Sequence, residues 1–275
     1  MKINLRFPFQ RNIFIRTILL LLAITATAAQ ADLIIEAGET FQLSGSESLT
    51  VNGNLTLNAA SESESAAQLN GATSAEILVS GDWINNTSPA SGSTDPTGFV
   101  HNNTIVYLTG TGNEHSRIEG ETTFYQLIAN RNLSGVSDHK KFVGDGIKFE
   151  SGKTQTISTN GTLQLAGADA DNLLSLQSTS NDNAATLDVS ATDVTVTASH
   201  LNIKDSILSG YSGAPGETNS TNSGGNSGWF TPLSLSDTEN SGVAENVAYS
   251  ASAPTLTGTP VGSVTYSLTG ADAAD

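Results

Sequence analysis

The stretch "LDVSATDVTVTASHLNI" (Leu187–Ile203) decides the fold. Its apolar residues fall in pairs, Leu187/Val189, Val194/Val196 and Leu201/Ile203, and each pair starts seven residues after the one before. A seven-residue period suggests a coiled coil. Residues i and i+2, however, lie about 200° apart on a helix, so each pair would straddle opposite faces. On a strand, i and i+2 share a face. The spacing also misses the a/d pattern of a heptad. Very short strands, each with two inward residues and bounded by Ser/Thr/Asp/Asn corners, are what a β-solenoid requires. Three such strands and their corners make a coil of roughly twenty residues, whose backbone N–H and C=O groups are satisfied by neighbouring coils.

The same two-residue signature recurs at Leu49/Val51, Leu55/Leu57, Ile77/Val79, Ile105/Tyr107, Ile147/Phe149, Leu163/Leu165 and Leu174/Leu176, and each pair is expected to point inward. Uneven spacing implies insertions at the corners, the largest being "NNTSPASGSTDPTGFVHNN" (Asn85–Asn103). Two longer echoes support a repeat: "EAGETFQL" (Glu36–Leu43) with "ESGKTQTI" (Glu150–Ile157), and "NGNLTL" (Asn52–Leu57) with "NGTLQL" (Asn160–Leu165). An ordinary β-sandwich is the competing architecture. The Gly/Ser/Asn-rich run "GYSGAPGETNSTNSGGNSGWF" (Gly210–Phe230) reads as an exit loop, with Trp229 and Phe230 covering the open end of the last coil.

Charge narrows the function classes. The 275 residues carry 11 Lys+Arg, 27 Asp+Glu and no Cys, for a net charge of −16. Lys2, Arg6, Arg11 and Arg16 precede the apolar "TILLLLAITATA" (Thr17–Ala28) and the small-residue "AQA" (Ala29–Ala31), the pattern of a secretory signal peptide over residues 1–31. An uncleaved anchor is the alternative. No Cys stands near the cut, which excludes a bacterial lipid anchor. Removing the segment leaves seven basic against 27 acidic residues, a net of −20. A polyanion needs a basic footprint, so nucleic-acid binding is excluded. An acidic surface favours Ca²⁺-rich surroundings. An exported chain without cysteines has no disulfide framework, and its stability rests on a core, a metal or repetition.

"VSGDWINN" (Val79–Asn86), "NTIVYLTGTGNEHSRIEGETTFYQLIANR" (Asn103–Arg131) and "NSGW" (Asn226–Trp229) resemble the repetitive β-helical passenger regions of large bacterial surface proteins. There the pattern runs G-D-W-x-N-N, a strand, a Gly-rich turn, then T-F-x-x-L. The resemblance covers most of Asp32–Phe230 and implies a right-handed parallel β-helix. The tail "SGVAENVAYSASAPTLTGTPVGSVTYSLTGADAAD" (Ser241–Asp275) is similar to the opening of a bacterial cadherin-like repeat, with Ala244-Glu245-Asn246 as x-E-N and Gly262–Leu268 as the following strand. Such repeats fold as seven-stranded sandwiches of roughly 100 residues. A segment of this length would be the first part of one, in a longer protein. In those repeats the motif glutamate ligates Ca²⁺, so Glu245 is the one metal-ligand candidate and Ca²⁺ the one cofactor. The D-x-D element and the later acidic motifs are missing, which leaves that site incomplete.

Catalytic equipment is sparse. A glycosidase needs two convergent carboxylates, and β-helical enzymes of this kind usually add an H-G dipeptide, an R-I-K and paired Asp. His101, His115, His139 and His200 are followed by Asn, Ser, Lys and Leu, and "DAD" (Asp169–Asp171) sits in an Ala/Gly-rich loop. The basic cluster "DHKKF" (Asp138–Phe142) is expected at a solvated corner. Trp83, Tyr107, Phe124 and Tyr125 are expected to stack inward rather than to form a sugar platform. No N-P-N-G element is present, which disfavours two-partner secretion.

The expected organisation is a signal peptide over 1–31, an all-β solenoid over 32–230, a linker over 231–240 and an incomplete cadherin-like domain over 241–275. The expected function is that of an exported, non-catalytic cell-surface adhesin or stalk segment, secreted or held at the bacterial surface. Its partners would be other surface proteins or glycans. Membrane association would come only through parts beyond the tail. A polysaccharide lyase or glycosidase acting on extracellular glycans is the alternative, and a passive coat repeat a third possibility.

Overall fold

A computed structural model describes residues 31–61, 64–87, 98–112, 114–134, 137–232, 234–236 and 255–257. The expected signal peptide, Glu245 and nearly all of the cadherin-like segment lie outside the described residues, as do residues 88–97 of the largest corner insertion.

The described chain is all-β, built from short strands that visit three faces in turn. The first pass contributes β1 (Leu33–Ile35), β2 (Thr40–Gln42) and β3 (Ser48–Val51). The second adds β4 (Leu55–Leu57), β5 (Gln68–Asn70) and β6 (Glu76–Val79), and the third β7 (Trp83–Asn85), β8 (Gly98–Val100) and β9 (Ile105–Leu108). Each strand pairs in parallel with the strand one pass later: Leu33 with Leu55, Phe41 with Leu69, Leu49 with Ile77.

The next passes run β10 (His115–Glu119) and β11 (Thr122–Asn130), then β12 (Gly146–Phe149) and β13 (Thr154–Ala166). β11 and β13 are long because each serves two faces. Thr122–Phe124 pairs with Gln155–Ile157, the register then shifts, and Gln126–Asn130 pairs with Thr162–Ala166. The faces separate again at β14 (Leu174–Ser178), β15 (Ala185–Asp188) and β16 (Thr195–Ser199), where β15 meets the first half of β13 and β16 the second. β17 (Leu201–Lys204), β18 (Ser206–Ser209) and the two-residue β19 (Thr221–Asn222) complete the parallel region. The first face is thus an eight-stranded sheet in the order β1-β4-β7-β10-β12-β14-β17-β19. This architecture is compatible with a β-solenoid. A separate antiparallel pair joins β20 (Ser234–Ser236) to β21 (Thr255–Thr257).

The pairs in Leu187–Ile203 fall on β15, β16 and β17 and the residues flanking them, so the three pairs belong to three different faces. Most passes are longer than the twenty residues expected, and the last one matches that length. Hydrogen bonds between equivalent corners join residues 22, 28 and 35 apart early in the chain and 19 apart at its end.

One continuous cluster fills the space between the faces. It includes Leu55, Leu57, Ile77, Val79, Trp83, Ile147, Phe149, Leu163, Leu165, Leu174, Leu176, Leu187, Val189, Leu201 and Ile203, all buried, with Leu49, Val194 and Val196 packed against it. Removing each such aliphatic side chain from water contributes about 1.5–3 kcal/mol. One expected pair is wrong. On β9 the inward residues are Val106 and Leu108, paired with Ile77 and Val79, whereas Ile105 and Tyr107 point outward. Four consecutive apolar residues leave alternation unable to choose a face.

The echoes divide as well. Glu36–Leu43 and Glu150–Ile157 hold the same place, a turn with Gly38 or Gly152 at positive φ followed by a second-face strand. Asn52–Leu57 and Asn160–Leu165 do not, since Leu55–Leu57 lies on the first face and Leu163–Leu165 on the third. At the far end Trp229 and Phe230 are buried in the main cluster, with Tyr211 against it, and the Trp229 indole N–H donates to Ser206 Oγ at 3.0 Å.

Candidate functional site

The motif residues turn out to be structural. In "GDWINN" the Asp82 and Asn85 side chains satisfy backbone groups at corners. The Asn54 N–H donates to Asp32 Oδ1 at 2.9 Å, the Asp82 N–H to Asn54 Oδ1 at 2.8 Å, and the Arg117 N–H to Asp82 Oδ1 at 2.7 Å, a ladder of Asx side chains at one edge of the first face. Gly81 is required because a Cβ there would run into Asn54 Oδ1 and the Gly53 backbone. Trp83 enters the core, its ring 5.0 Å from Phe99 and 5.2 Å from Phe124, and its indole N–H donates to Thr122 Oγ1 at 3.1 Å.

Asn85 Nδ2 donates to the Glu121 carbonyl at 2.8 Å. Fully buried Gln155 continues the same corner, accepting from the Thr122 N–H at 3.1 Å and donating to the Gly120 carbonyl at 2.7 Å. These residues close the backbone account of a dry interior, where an unpaired polar group is costly.

Other nominated residues scatter. Trp83 and Phe124 stack inward as expected, but Tyr107 and Tyr125 do not. Tyr125 is half-buried and stacks on His101 with ring centroids 6.1 Å apart, and burial holds the His101 imidazole below its usual pKa. His139 is exposed in a short 3₁₀ turn (Asp138–Lys140), and His200 occupies a corner at φ 54°. Asp169 accepts from the Asp171 and Asn172 N–H groups and from Asn172 Nδ2, which lowers its pKa and makes "DAD" a turn. Among the described residues no group of three or more His, Asp or Glu is arranged to hold a metal.

The "DHKKF" segment is not simply a solvated corner. It belongs to an excursion between β11 and β12 that folds over the outer side of the third face. There Leu78, Tyr107 and Ile128 form a second small buried cluster, with Ile105 and Leu133 against it. Lys140 Nζ sits 2.5 Å from Glu76 Oε1 and 5.0 Å from the centre of the Tyr107 ring. Phe142 is buried in the main cluster, with the Arg131 guanidinium 5.9 Å above its ring.

The outer side of the first face is where polar groups gather. Register brings Arg117, Lys148, Gln177 and Lys204 into one row on successive strands. Three of the seven basic residues beyond position 31 therefore stand in a single line. Beside them, His115 Nε2 lies 2.9 Å from Gln177 Nε2. Burial lowers the His115 pKa, reinforced by the Lys148 charge and opposed by Asp145. Sequence reading missed this row because its members lie 31, 29 and 27 positions apart, at no constant period. The one local signal is a polar residue beside an inward aliphatic in "RI", "IKF", "LQ" and "IK".

No known family model, curated protein or solved structure matches the chain. The site therefore has to be read from its own chemistry. Near the last strands a shallow groove of about 280 Å³ is lined by Asn222, Asn226, Phe230 and Pro232. It holds no ionisable side chain among its lining residues.

Proposed function

We propose that the chain is a non-catalytic segment of an exported bacterial surface adhesin, in which residues 32–230 form a right-handed parallel β-helix acting as a stiff stalk or passenger. One observation carries the reading: the chain's polar motifs are consumed by corner hydrogen bonds around a continuous apolar column. Right-handed winding is the sense that parallel crossover connections take almost without exception. The acidic surface and the expected signal peptide support an extracellular, Ca²⁺-rich setting, and Glu245 would take part in Ca²⁺-stiffened cadherin-like repeats. Adhesion of the full-length protein to cells and glycan arrays, with and without a chelator, tests the reading. Specific retention that falls on chelation is expected, and indifference to every surface would overturn it.

A further inference from the structure

The row on the first face is an oddity in so acidic a protein. Its side chains stand on successive strands, about 4.8 Å apart, so the row runs along the stacking direction for roughly 15 Å. Arg117 and Lys204 keep 54% and 39% of their side-chain surface exposed. Two of the nearby carboxylates pair with the ends of the row and two are held by backbone N–H groups. Glu119 lies 3.4 Å from Arg117, Glu150 accepts the Gly120 N–H at 2.6 Å, and Asp82 accepts the Arg117 N–H. Asp205, buried, accepts the Asp182 N–H and lies 3.7 Å from Lys204. Among the described residues Lys148, between Arg117 and Gln177, has no carboxylate partner.

The row is polar and elongated. It offers no large apolar anchor of the kind that protein partners bury at a hot spot. Three cations edged by Glu114, Asp145, Glu119 and Glu150 are too few for a nucleic-acid backbone. A polymer that presents one carboxylate every one or two strand spacings, with hydroxyls between, matches cations interleaved with an amide and an imidazole.

We infer that the outer side of the first face binds a linear acidic polysaccharide laid along the strand-stacking direction. Arg117, Lys148 and Lys204 take its carboxylates, while Gln177 and His115 take its hydroxyls. This names the ligand class for the adhesin reading and rests on it only in requiring retention without turnover. The acid-rich remainder repels polyanions at long range. That repulsion is screened beyond about 8 Å at 0.15 M ionic strength, whereas contacts within the row are not.

The experiment is affinity electrophoresis and calorimetry of the full chain against polygalacturonate, with neutral dextran as comparison, at 0.15 M and 1 M salt. Retention by polygalacturonate but not by dextran, lost at 1 M salt, is expected. Lys148→Glu should weaken binding roughly tenfold and Lys148→Gln by less, while Lys141→Glu, off the row, leaves it unchanged. Far-UV circular dichroism verifies that each variant is folded. No retention at 0.15 M salt, equal retention by dextran, or retention indifferent to Lys148 would overturn the site. A chain that adheres to cells but ignores polygalacturonate ends this assignment and leaves the adhesin reading standing. A chain that binds through Lys148 and also shortens the polymer keeps the site and ends the non-catalytic reading.

Discussion

Among the described residues two apolar clusters lie back to back across β6, β9 and β11. On β9, Val106 and Leu108 face the main column, while Ile105 and Tyr107 face the small outer cluster beneath the 131–145 excursion. The column is enclosed by three faces whose strands are hydrogen-bonded from pass to pass. The outer patch is covered by one loop, pinned by the Lys140–Glu76 pair and the cation over Tyr107. Equal hydrophobicity therefore does not mean equal contribution. A side chain in the column has neighbours above and below as well as across, and removing it opens a cavity that stacked passes cannot close. A side chain in the outer patch is covered by a single loop rather than by stacked strands.

The hardest test of that contrast is Trp83→Ala. It should destabilise by about 3–5 kcal/mol in chemical denaturation, through lost area, a cavity and the lost indole hydrogen bond to Thr122. Gln155→Leu keeps most of the volume but strands the Thr122 N–H and the Gly120 carbonyl. A loss of about 2 kcal/mol or more is expected by the same measurement. Tyr107→Ala should cost only about 1–2 kcal/mol, and a loss as large as that of Trp83→Ala would erase the distinction between the clusters. Lys140→Ala should change global stability by less than about 1 kcal/mol, since its ion pair is only part-buried. It should nevertheless speed limited proteolysis within 131–145, because the excursion loses its tether.

The smallest effect expected is a pH dependence. His101 and His115 have folded pKa values below their ordinary 6.5, so the native state favours neutral imidazole. Their contribution is complete above pH 6.5 and declines as pH falls through that value toward the lowered folded ones. Thermal melts from pH 7.5 to pH 5 should show falling stability, and His115→Gln should flatten the slope.

How much of this was legible beforehand depends on distance along the chain. Leu187–Ile203 announced short strands because i and i+2 pairing is a local property, and no helix can satisfy it. Trp229 and Phe230 were legible as an end cap because they follow a run with almost no other apolar residue. Ile105/Tyr107 misled because the neighbouring Val106 and Leu108 are equally apolar, and only the pairing with Ile77 and Val79 chooses between them. "DHKKF" misled for a similar reason. Its charge suggested solvent, but Phe142 and the Lys140 stem find apolar surface contributed by strands far away in sequence.

The sequence alone determined that the chain would be all-β, built of brief strands with two inward residues and polar corners, and that its net charge would be strongly negative. Those follow from side-chain alternation and from counting, which need no partner. Only the tertiary structure decided which face each strand joined, where β11 and β13 fused two faces, and that Arg117, Lys148, Gln177 and Lys204 would stand in line. Register between passes of unequal length is set by packing and corner hydrogen bonds across 19 to 35 residues, and no local pattern carries that information.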